Sequence, residues 1–178
     1  GRGNNLTDNN TVTVTAGRVD SGAFFTRANI EFLSIGDNTD LSTGNIDFTI
    51  SFWVRATSET AMRVAAKGVE AGGTMEWLLG RLAGASNRYF FNVDSSGNGS
   101  VLGSVSSNAA SASTAATQHI IAWHDSAVGT INIQIDNGTI FATTYTGGAV
   151  DRAGDFNLGG EGGGNTWDGM LDEFGFWK

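Results

Sequence analysis

The chain contains no cysteine and no proline. Without cysteine it forms no disulfide, has no catalytic thiol and offers no thiolate to a metal. Without proline its turns depend on glycine, asparagine and aspartate, and glycine is abundant, at 26 of 178 residues. No run of about 18 apolar residues occurs, so no membrane-spanning helix is predicted. We therefore expect a single domain over residues 1–178 with no membrane insertion.

Basic residues are also scarce, and they are unevenly placed. The net charge is -8. Residues 1–90 hold nine acidic and eight basic residues, whereas residues 91–178 hold nine acidic and only two basic ones. An acidic half repels phosphate backbones, so nucleic acid is not an expected partner. Calcium, a basic protein surface, or simple solvation of the acidic surface remain as alternatives.

Short segments that alternate apolar and polar residues recur along the chain, with turn residues between them. In FTISFWVR, the side chains of Phe48, Ile50, Phe52 and Val54 share one face. No window shows a sustained helical period, and strands at this spacing are typical of an all-β sandwich. The other predicted strands are TVTVT, EFLSI, EWLLGRL, RYFFNV, HIIAW, TINIQID, TIFATTY and the C-terminal run.

Two turns are predicted to form hairpins. TINIQID and TIFATTY flank Asn137-Gly138, a pair that readily supplies the two positive φ values of a type I′ turn. DSSGNGS begins like a calcium-binding EF-hand loop at Asp94. Its twelfth position is Val105 instead of glutamate, and no helices flank it. We interpret it as a hairpin turn.

The closing run WDGMLDEFGFW combines a turn, an alternating strand and two adjacent carboxylates. Regular alternation would place Met170, Asp172, Phe174 and Phe176 on one face, and Leu171, Glu173 and Trp177 on the other. A carboxylate that shares a face with aromatic residues needs a cation, an arginine or backbone amides as a partner.

Taken in order, VDSGAFF, EFLSIGDNTDLSTGNIDFTISFWVR, HIIAWHDSAVGTINIQIDNGT, FNLGG and WDGMLDEFGFW resemble the laminin G-like, concanavalin A-like lectin-glucanase domain. The resemblance runs from about Val19 to Trp177 and implies a two-sheet antiparallel jelly-roll sandwich. It is similar to the bacterial and phage type, because the cysteine pair of many animal members is missing. The first strand that usually precedes GNNLTDNNTVT is also missing, which implies a domain excised from a longer polypeptide.

The resemblance implies a calcium site, because some members hold one calcium ion near the last strand. Asp20, Asp172 and Glu173 are the side chains that match such a site best. Calcium prefers six to eight oxygen ligands. The alternative is that Asp172 pairs with Arg18 or Arg27, or that it accepts hydrogen bonds from backbone amides.

The fold also includes laminarinase-type glycoside hydrolases, but no catalytic arrangement is found. Those enzymes carry carboxylates on alternate positions of one strand, whereas Asp172 and Glu173 are adjacent and point to opposite faces. His119 and His124 also point to opposite faces of one strand. Ser126 is a neighbour of His124 only in sequence. We predict that the protein is not an enzyme.

The function predicted from the sequence is a non-catalytic recognition module that binds a glycan or a protein surface. Exposed aromatic rings stack on sugars, and loop amides bond to hydroxyls. The candidate ligand-binding residues are Trp53, Trp77, Tyr145, Asn165 and Trp167. The expected setting is a phage virion or an exported bacterial protein, in an extracellular, cell-surface or adhesion role. The alternative is a structural domain that decorates a virion and contacts neighbouring subunits.

Overall fold

The computed structural model describes residues 4–178, which fold into fourteen strands. Two 3₁₀ turns, Arg27–Asn29 and Gly84–Ser86, are the only helical elements within this range. The strands are β1 (Thr7–Asn9), β2 (Thr13–Ala16), β3 (Ser21–Phe25), β4 (Phe32–Ile35), β5 (Phe48–Ala56), β6 (Met62–Lys67), β7 (Trp77–Arg81), β8 (Tyr89–Asp94), β9 (Leu102–Ser106), β10 (Gln118–Asp125), β11 (Thr130–Ile135), β12 (Ile140–Thr144), β13 (Phe156–Leu158) and β14 (Gly169–Trp177).

The strands form two antiparallel sheets of seven strands each, packed as a sandwich. Sheet A has the order β1-β4-β13-β6-β7-β8-β9, and sheet B has the order β12-β11-β10-β5-β14-β3-β2. The all-β jelly-roll prediction is confirmed. No helix in the described range is long and apolar enough to cross a membrane.

Strand β5 lies at the centre of sheet B, between β10 and β14. Its residues alternate strictly between buried and half-buried, as the sequence predicted. Phe48, Ile50, Phe52 and Val54 face the core, which they share with residues of sheet A such as Phe91. The intervening residues of β5 therefore face outward, and this outer surface carries the candidate site.

Five strands were not predicted as strands: β1, β3, β6, β9 and β13. β1 and β13 are only three residues long. β6 is buried at all but one position, so its residues show no alternation. β9 overlaps a run of small residues from Ser104 onward, a composition that does not favour a strand.

Strand β14 does not alternate regularly, which corrects the predicted faces of the closing run. Asp172 lies opposite Trp53, but Gly175 lies opposite Ser51, so one extra residue is inserted between them. Glu173 has a φ of 50° at this bulge.

The bulge reverses the side on which the remaining residues of β14 lie. Leu171, Phe174 and Phe176 pack against the core, whereas Asp172 and Trp177 belong to the outer surface. The predicted sharing of one face by Asp172 and the two phenylalanines is wrong, because alternation predicts orientation only within an unbroken register.

Both predicted hairpins form. β11 pairs with β12, but the residues with positive φ are Asp136 and Asn137 instead of Asn137 and Gly138, so the turn lies one residue earlier than predicted. The Gly138 N–H closes it on the Ile135 carbonyl at 2.8 Å. The other hairpin joins β8 and β9, and the buried Asp94 carboxylate accepts hydrogen bonds within its loop.

A buried ion network joins the end of β6 to the start of β7. The Lys67 ammonium is fully buried and lies 3.0 Å from the fully buried carboxylate of Glu76 and 2.7 Å from that of Asp37. Glu76 also accepts hydrogen bonds from the N–H and hydroxyl of Thr43, at 2.7 Å each. The network fixes the loop between β4 and β5 on the sandwich, and no sequence motif indicated it.

Candidate ligand-binding site

Two of the predicted ligand-binding tryptophans lie in the core. The side chains of Trp77 and Trp167 are both 0% exposed and belong to the main hydrophobic cluster. Trp77 lies on β7, and Trp167 precedes β14. Neither ring is accessible to a ligand, so the expectation that these two rings stack on sugars is corrected.

Tyr145 follows β12 and is half-buried. Its hydroxyl donates a hydrogen bond to the Val101 carbonyl at 2.8 Å. Its ring lies against Gly103 so closely that a Cβ atom there would be 2.4 Å from the ring. Tyr145 therefore links the edges of the two sheets, and its ring is occupied by the contact with Gly103.

The three remaining tryptophans all lie on the outer surface of sheet B. We call this surface, with Trp53, Trp123 and Trp177, the tryptophan face. Trp177 of β14 and Trp123 of β10 both pair with Thr49 of β5, one from each side. Their Cα atoms are thus two strand spacings apart, about 9.5 Å. Trp177 is 56% exposed.

Trp177 lies flat because Gly175 lies beneath it. A Cβ atom on Gly175 would be 2.0 Å from the indole ring, so only a glycine allows the ring this close to the strand. One side of the ring covers the backbone of β14, and the other side faces solvent. This arrangement is a preformed apolar platform.

The other end of the tryptophan face is basic. The Arg18 guanidinium carbon lies 5.1 Å from the centre of the Trp53 ring, and the His119 ring lies 4.7 Å from it. Ser51 Oγ is 2.8 Å from Nε2 of His119. Trp53 is thus held between a cation and an imidazole, with part of its ring accessible.

Asn165 lies in a second concave region, on the other side of the sandwich. This loop cleft has a volume of about 750 Å³ and is lined by residues that include Arg63, Val69, Glu70, Asn98, Glu161 and Asn165. Glu161 accepts hydrogen bonds from Arg63 Nε at 3.2 Å and from the Glu70 N–H at 2.9 Å. These contacts hold the glycine-rich loop of residues 159–164 against the loop after β6.

The predicted metal ligands do not converge. Asp172 is buried, and its Oδ2 atom accepts hydrogen bonds from the N–H groups of Arg18 and Val19, at 2.6 and 2.9 Å. Asp20 and Glu173 are exposed. Within residues 4–178 no group of three or more histidine, cysteine or acidic side chains is arranged to hold a metal.

The two N–H groups at Oδ2 of Asp172 fit the capping alternative. Gly17 lets the turn approach this carboxylate closely, because a Cβ atom on Gly17 would be 2.5 Å from Oδ2. Calcium binding stays a prediction.

His124 and Ser126 do not form a catalytic pair. His124 points into the core beside Phe48, and its Nδ1 atom lies 2.8 Å from the Ile46 carbonyl. Ser126 donates hydrogen bonds to Asp47, which lower the pKa of that carboxyl. His119 faces outward, so the predicted placement of the two histidines on opposite faces is confirmed.

Two residues of the tryptophan face, Trp123 and Trp177, were not among the predicted ligand-binding residues. The signal for Trp123 was present, because alternation in HIIAW places it on the same side as His119. The orientation of Trp177 on the side of Trp53 depends on the bulge in β14, which no local pattern indicates.

A family model described as the concanavalin A-like lectin/glucanases superfamily, of laminin G type, matches residues 28–178. The chain belongs to this family. Among curated proteins, none matches the chain in sequence.

Solved structures share the fold of this laminin G-like domain. The binding domain of Paraclostridial Mosquitocidal Protein 1 is similar with a TM-score of 0.74 and 15% identity, over 97% of this chain and 44% of that one. Domain 4 of AbnA, an extracellular arabinanase from Geobacillus stearothermophilus, in complex with arabinotriose, has a TM-score of 0.65 and 15% identity. The match covers 98% of this chain and 81% of that one. Domains LG4-5 of the mouse laminin alpha1 chain have a TM-score of 0.63 and 12% identity, and the match covers 93% of this chain and 41% of that one. The chain thus spans less than half of the mosquitocidal binding domain.

Proposed function

We propose that this laminin G-like domain is a non-catalytic module that binds a glycan on its tryptophan face. The observation that carries the proposal is that all three tryptophans outside the core share the outer surface of sheet B. An indole ring with one side in solvent is a surface on which the apolar side of a sugar ring stacks. The hydroxyl of Thr49, between the Trp123 and Trp177 positions, is available for sugar hydroxyls.

The similar structures support a binding role. One is named as the binding domain of a mosquitocidal protein, and another is domain 4 of an arabinanase in complex with arabinotriose. The setting that we propose is extracellular, either on a virion or on an exported bacterial protein. Both settings expose such a face to glycans of a cell surface.

A glycan array followed by calorimetric titration tests the proposal. Trp177→Ala and Trp123→Ala should each weaken binding about 10-fold or more, because each removes a stacking surface of about 1.5 kcal/mol. Val128→Ala, at a position 69% exposed on a different loop, is the matched control and should have no effect. A loss of binding on Asn98→Ala with no loss on the tryptophan variants would place the ligand in the loop cleft instead. Release of reducing sugar by the wild-type protein would contradict the non-catalytic role.

The second candidate function is assembly with neighbouring subunits of a virion. β2 is an edge strand of sheet B, and its Val14 is 81% exposed. An open edge with an exposed apolar residue can accept a strand from another chain. Light scattering after size-exclusion chromatography tests this candidate: a monomer at all concentrations contradicts self-assembly through this edge, and Val14→Lys should dissociate an oligomer that uses it.

A further inference from the structure

We propose that the tryptophan face selects an acidic saccharide, whose carboxylate binds Arg18 and Arg55 while neutral rings of the same chain lie on Trp123 and Trp177. This inference rests on the proposed function, because it names the ligand class of the same face. It depends on two arginines that the fold places beside Trp53 and that have no carboxylate partner among the described residues 4–178.

Arg55 lies two residues after Trp53 on β5, so both side chains project from the same surface, about 7 Å apart along the strand. Within residues 4–178, the Arg55 guanidinium has no hydrogen bond or ion pair. The Arg18 guanidinium carbon lies 5.1 Å from the centre of the Trp53 ring, and within the same range the group has no hydrogen bond or ion pair. Both guanidinium groups are therefore available to a ligand.

Two acidic groups near this end already accept hydrogen bonds, whereas Asp20 and Glu173 are exposed. The Oδ2 atom of Asp172 accepts the N–H groups of Arg18 and Val19. Asp136 accepts the His119 N–H at 2.7 Å and a side-chain N–H of Gln118 at 3.2 Å. Within residues 4–178, two guanidinium groups without a carboxylate partner thus lie together on this face of a chain of net charge -8.

A guanidinium group recognises a carboxylate with two parallel hydrogen bonds, which a point charge cannot do. The ring contact with Trp53 orients the Arg18 fork before binding, so less side-chain freedom is lost in the complex. Sulfate and phosphate esters are other anionic groups that sugars carry. We commit to the carboxylate, because its planar pair of oxygens matches the fork.

The length of the face indicates a chain of sugars. Trp53 lies four residues along β5 from Thr49, which is the position between Trp123 and Trp177. The basic end and the tryptophan platform are therefore about 13 Å apart along the strand. The Trp177 ring lies over Gly175, which pairs with Ser51 between the two ends, so a saccharide with its acidic ring at the basic end reaches the platform.

The test is an array of matched glycan pairs: hexuronate oligosaccharides with their carboxyl-reduced forms, sialylated glycans with their desialylated forms, and sulfated glycans with their desulfated forms. Acidic members with a carboxylate should bind about 10-fold tighter than their neutral partners at low salt, and the difference should shrink as salt is added. Equal binding within pairs, or preference for sulfated members alone, overturns the acidic-carboxylate proposal but leaves the glycan-binding function standing. No binding to any member overturns both.

Arginine variants then test whether the two guanidinium groups bind the carboxylate. They are measured on the matched glycan pair whose acidic member binds most tightly. Arg18→Gln with Arg55→Gln should reduce the acidic ligand to the affinity of its neutral partner and leave the neutral partner unchanged. Arg18→Lys, which keeps the charge but not the fork, should lie in between. Arg152→Gln, an exposed arginine that contacts the Ser96 carbonyl on the other side of the sandwich, is the control and should change neither. Unchanged discrimination in the double variant contradicts the proposal.

Discussion

The indole ring of Trp177 lies over Gly175, two residues earlier on the same strand, at a distance that leaves no room for a Cβ atom. The bulge at Glu173 makes this possible, because it returns Trp177 to the outer surface while Phe174 and Phe176 stay in the core. A single inserted residue thus decides which aromatic rings of β14 stabilise the sandwich and which one faces solvent.

Gly175→Ala should displace the Trp177 ring from the strand. The added methyl group would lie 2.0 Å from the ring, and the exposed side chain can move aside. We expect glycan affinity to fall several-fold, while the free energy of unfolding changes by less than about 1 kcal/mol, because the lost packing is offset by the lower flexibility of alanine in the unfolded chain.

Calorimetry and urea unfolding measure these two effects of Gly175→Ala. Gly36→Ala is the matched control, since a Cβ there meets no atom within 4 Å. In a Trp177→Ala background, Gly175→Ala should have no further effect on binding. An additive effect in that double variant would show that the glycine acts independently of the ring.

Much of this fold was predictable, because the strongest strands alternate without interruption. β5 is the clearest example: its core-facing side was predicted residue by residue, and β10 followed the same rule. β14 was predicted as a strand with the wrong faces, because its bulge is specified by pairing with β5 and not by its own residues.

The site was predicted less well. The alternation around a tryptophan in a strand is the same whether that side of the sheet faces the core or solvent. The pattern alone therefore could not distinguish the buried Trp77 from Trp53 on the outer surface. The Lys67, Glu76 and Asp37 network was not predicted either, since its members are brought together only by the pairing of β6 with β7 and by a loop that returns to them.

Asp172→Asn should destabilise the fold by about 2 kcal/mol, because the charged acceptor of two backbone N–H groups is replaced by a neutral amide. Urea unfolding followed by fluorescence gives the difference. Glu173→Gln, the exposed neighbour, is the control and should stay within about 0.5 kcal/mol. Equal effects of the two substitutions would mean that the amide contacts contribute nothing beyond charge.

Calcium should not change the melting temperature through Asp172, because the N–H groups of Arg18 and Val19 already surround one of its oxygens. A ligand at 100 times its dissociation constant would stabilise the fold by about 2.7 kcal/mol. Thermal unfolding in calcium and in EGTA measures this directly. A rise of several degrees in calcium that Asp172→Asn abolishes would contradict the capping arrangement.

Lys67→Met should cost about 3–5 kcal/mol, because it leaves the buried carboxylate of Glu76 without its cation. Glu76→Gln in the same chain should recover part of this loss, since the amide oxygen can still accept hydrogen bonds from Thr43 without a buried charge. The denaturant midpoints of Lys67→Met, Glu76→Gln and the double variant, with that of the wild-type protein, form a double-mutant cycle. A double variant less stable than Lys67→Met would contradict the ion pair as the source of the loss.

Acid should weaken the fold partly through Asp37. A hydrogen bond and the charge of Lys67, with a further hydrogen bond from Ser42, hold the pKa of this carboxyl below its ordinary value of 3.8. Because the pKa is lower in the folded protein, the contribution of Asp37 to stability is complete above 3.8 and is lost as the pH falls through its folded pKa. The melting temperature of Asp37→Asn should therefore lie below that of the wild-type protein at pH 6, and the two should converge towards pH 2.5.

Asp151→Asn, at an exposed aspartate, is the control and should follow the wild-type curve. A constant difference between Asp37→Asn and the wild-type protein from pH 6 to 2.5 would mean that the ionisation of Asp37 does not stabilise the fold.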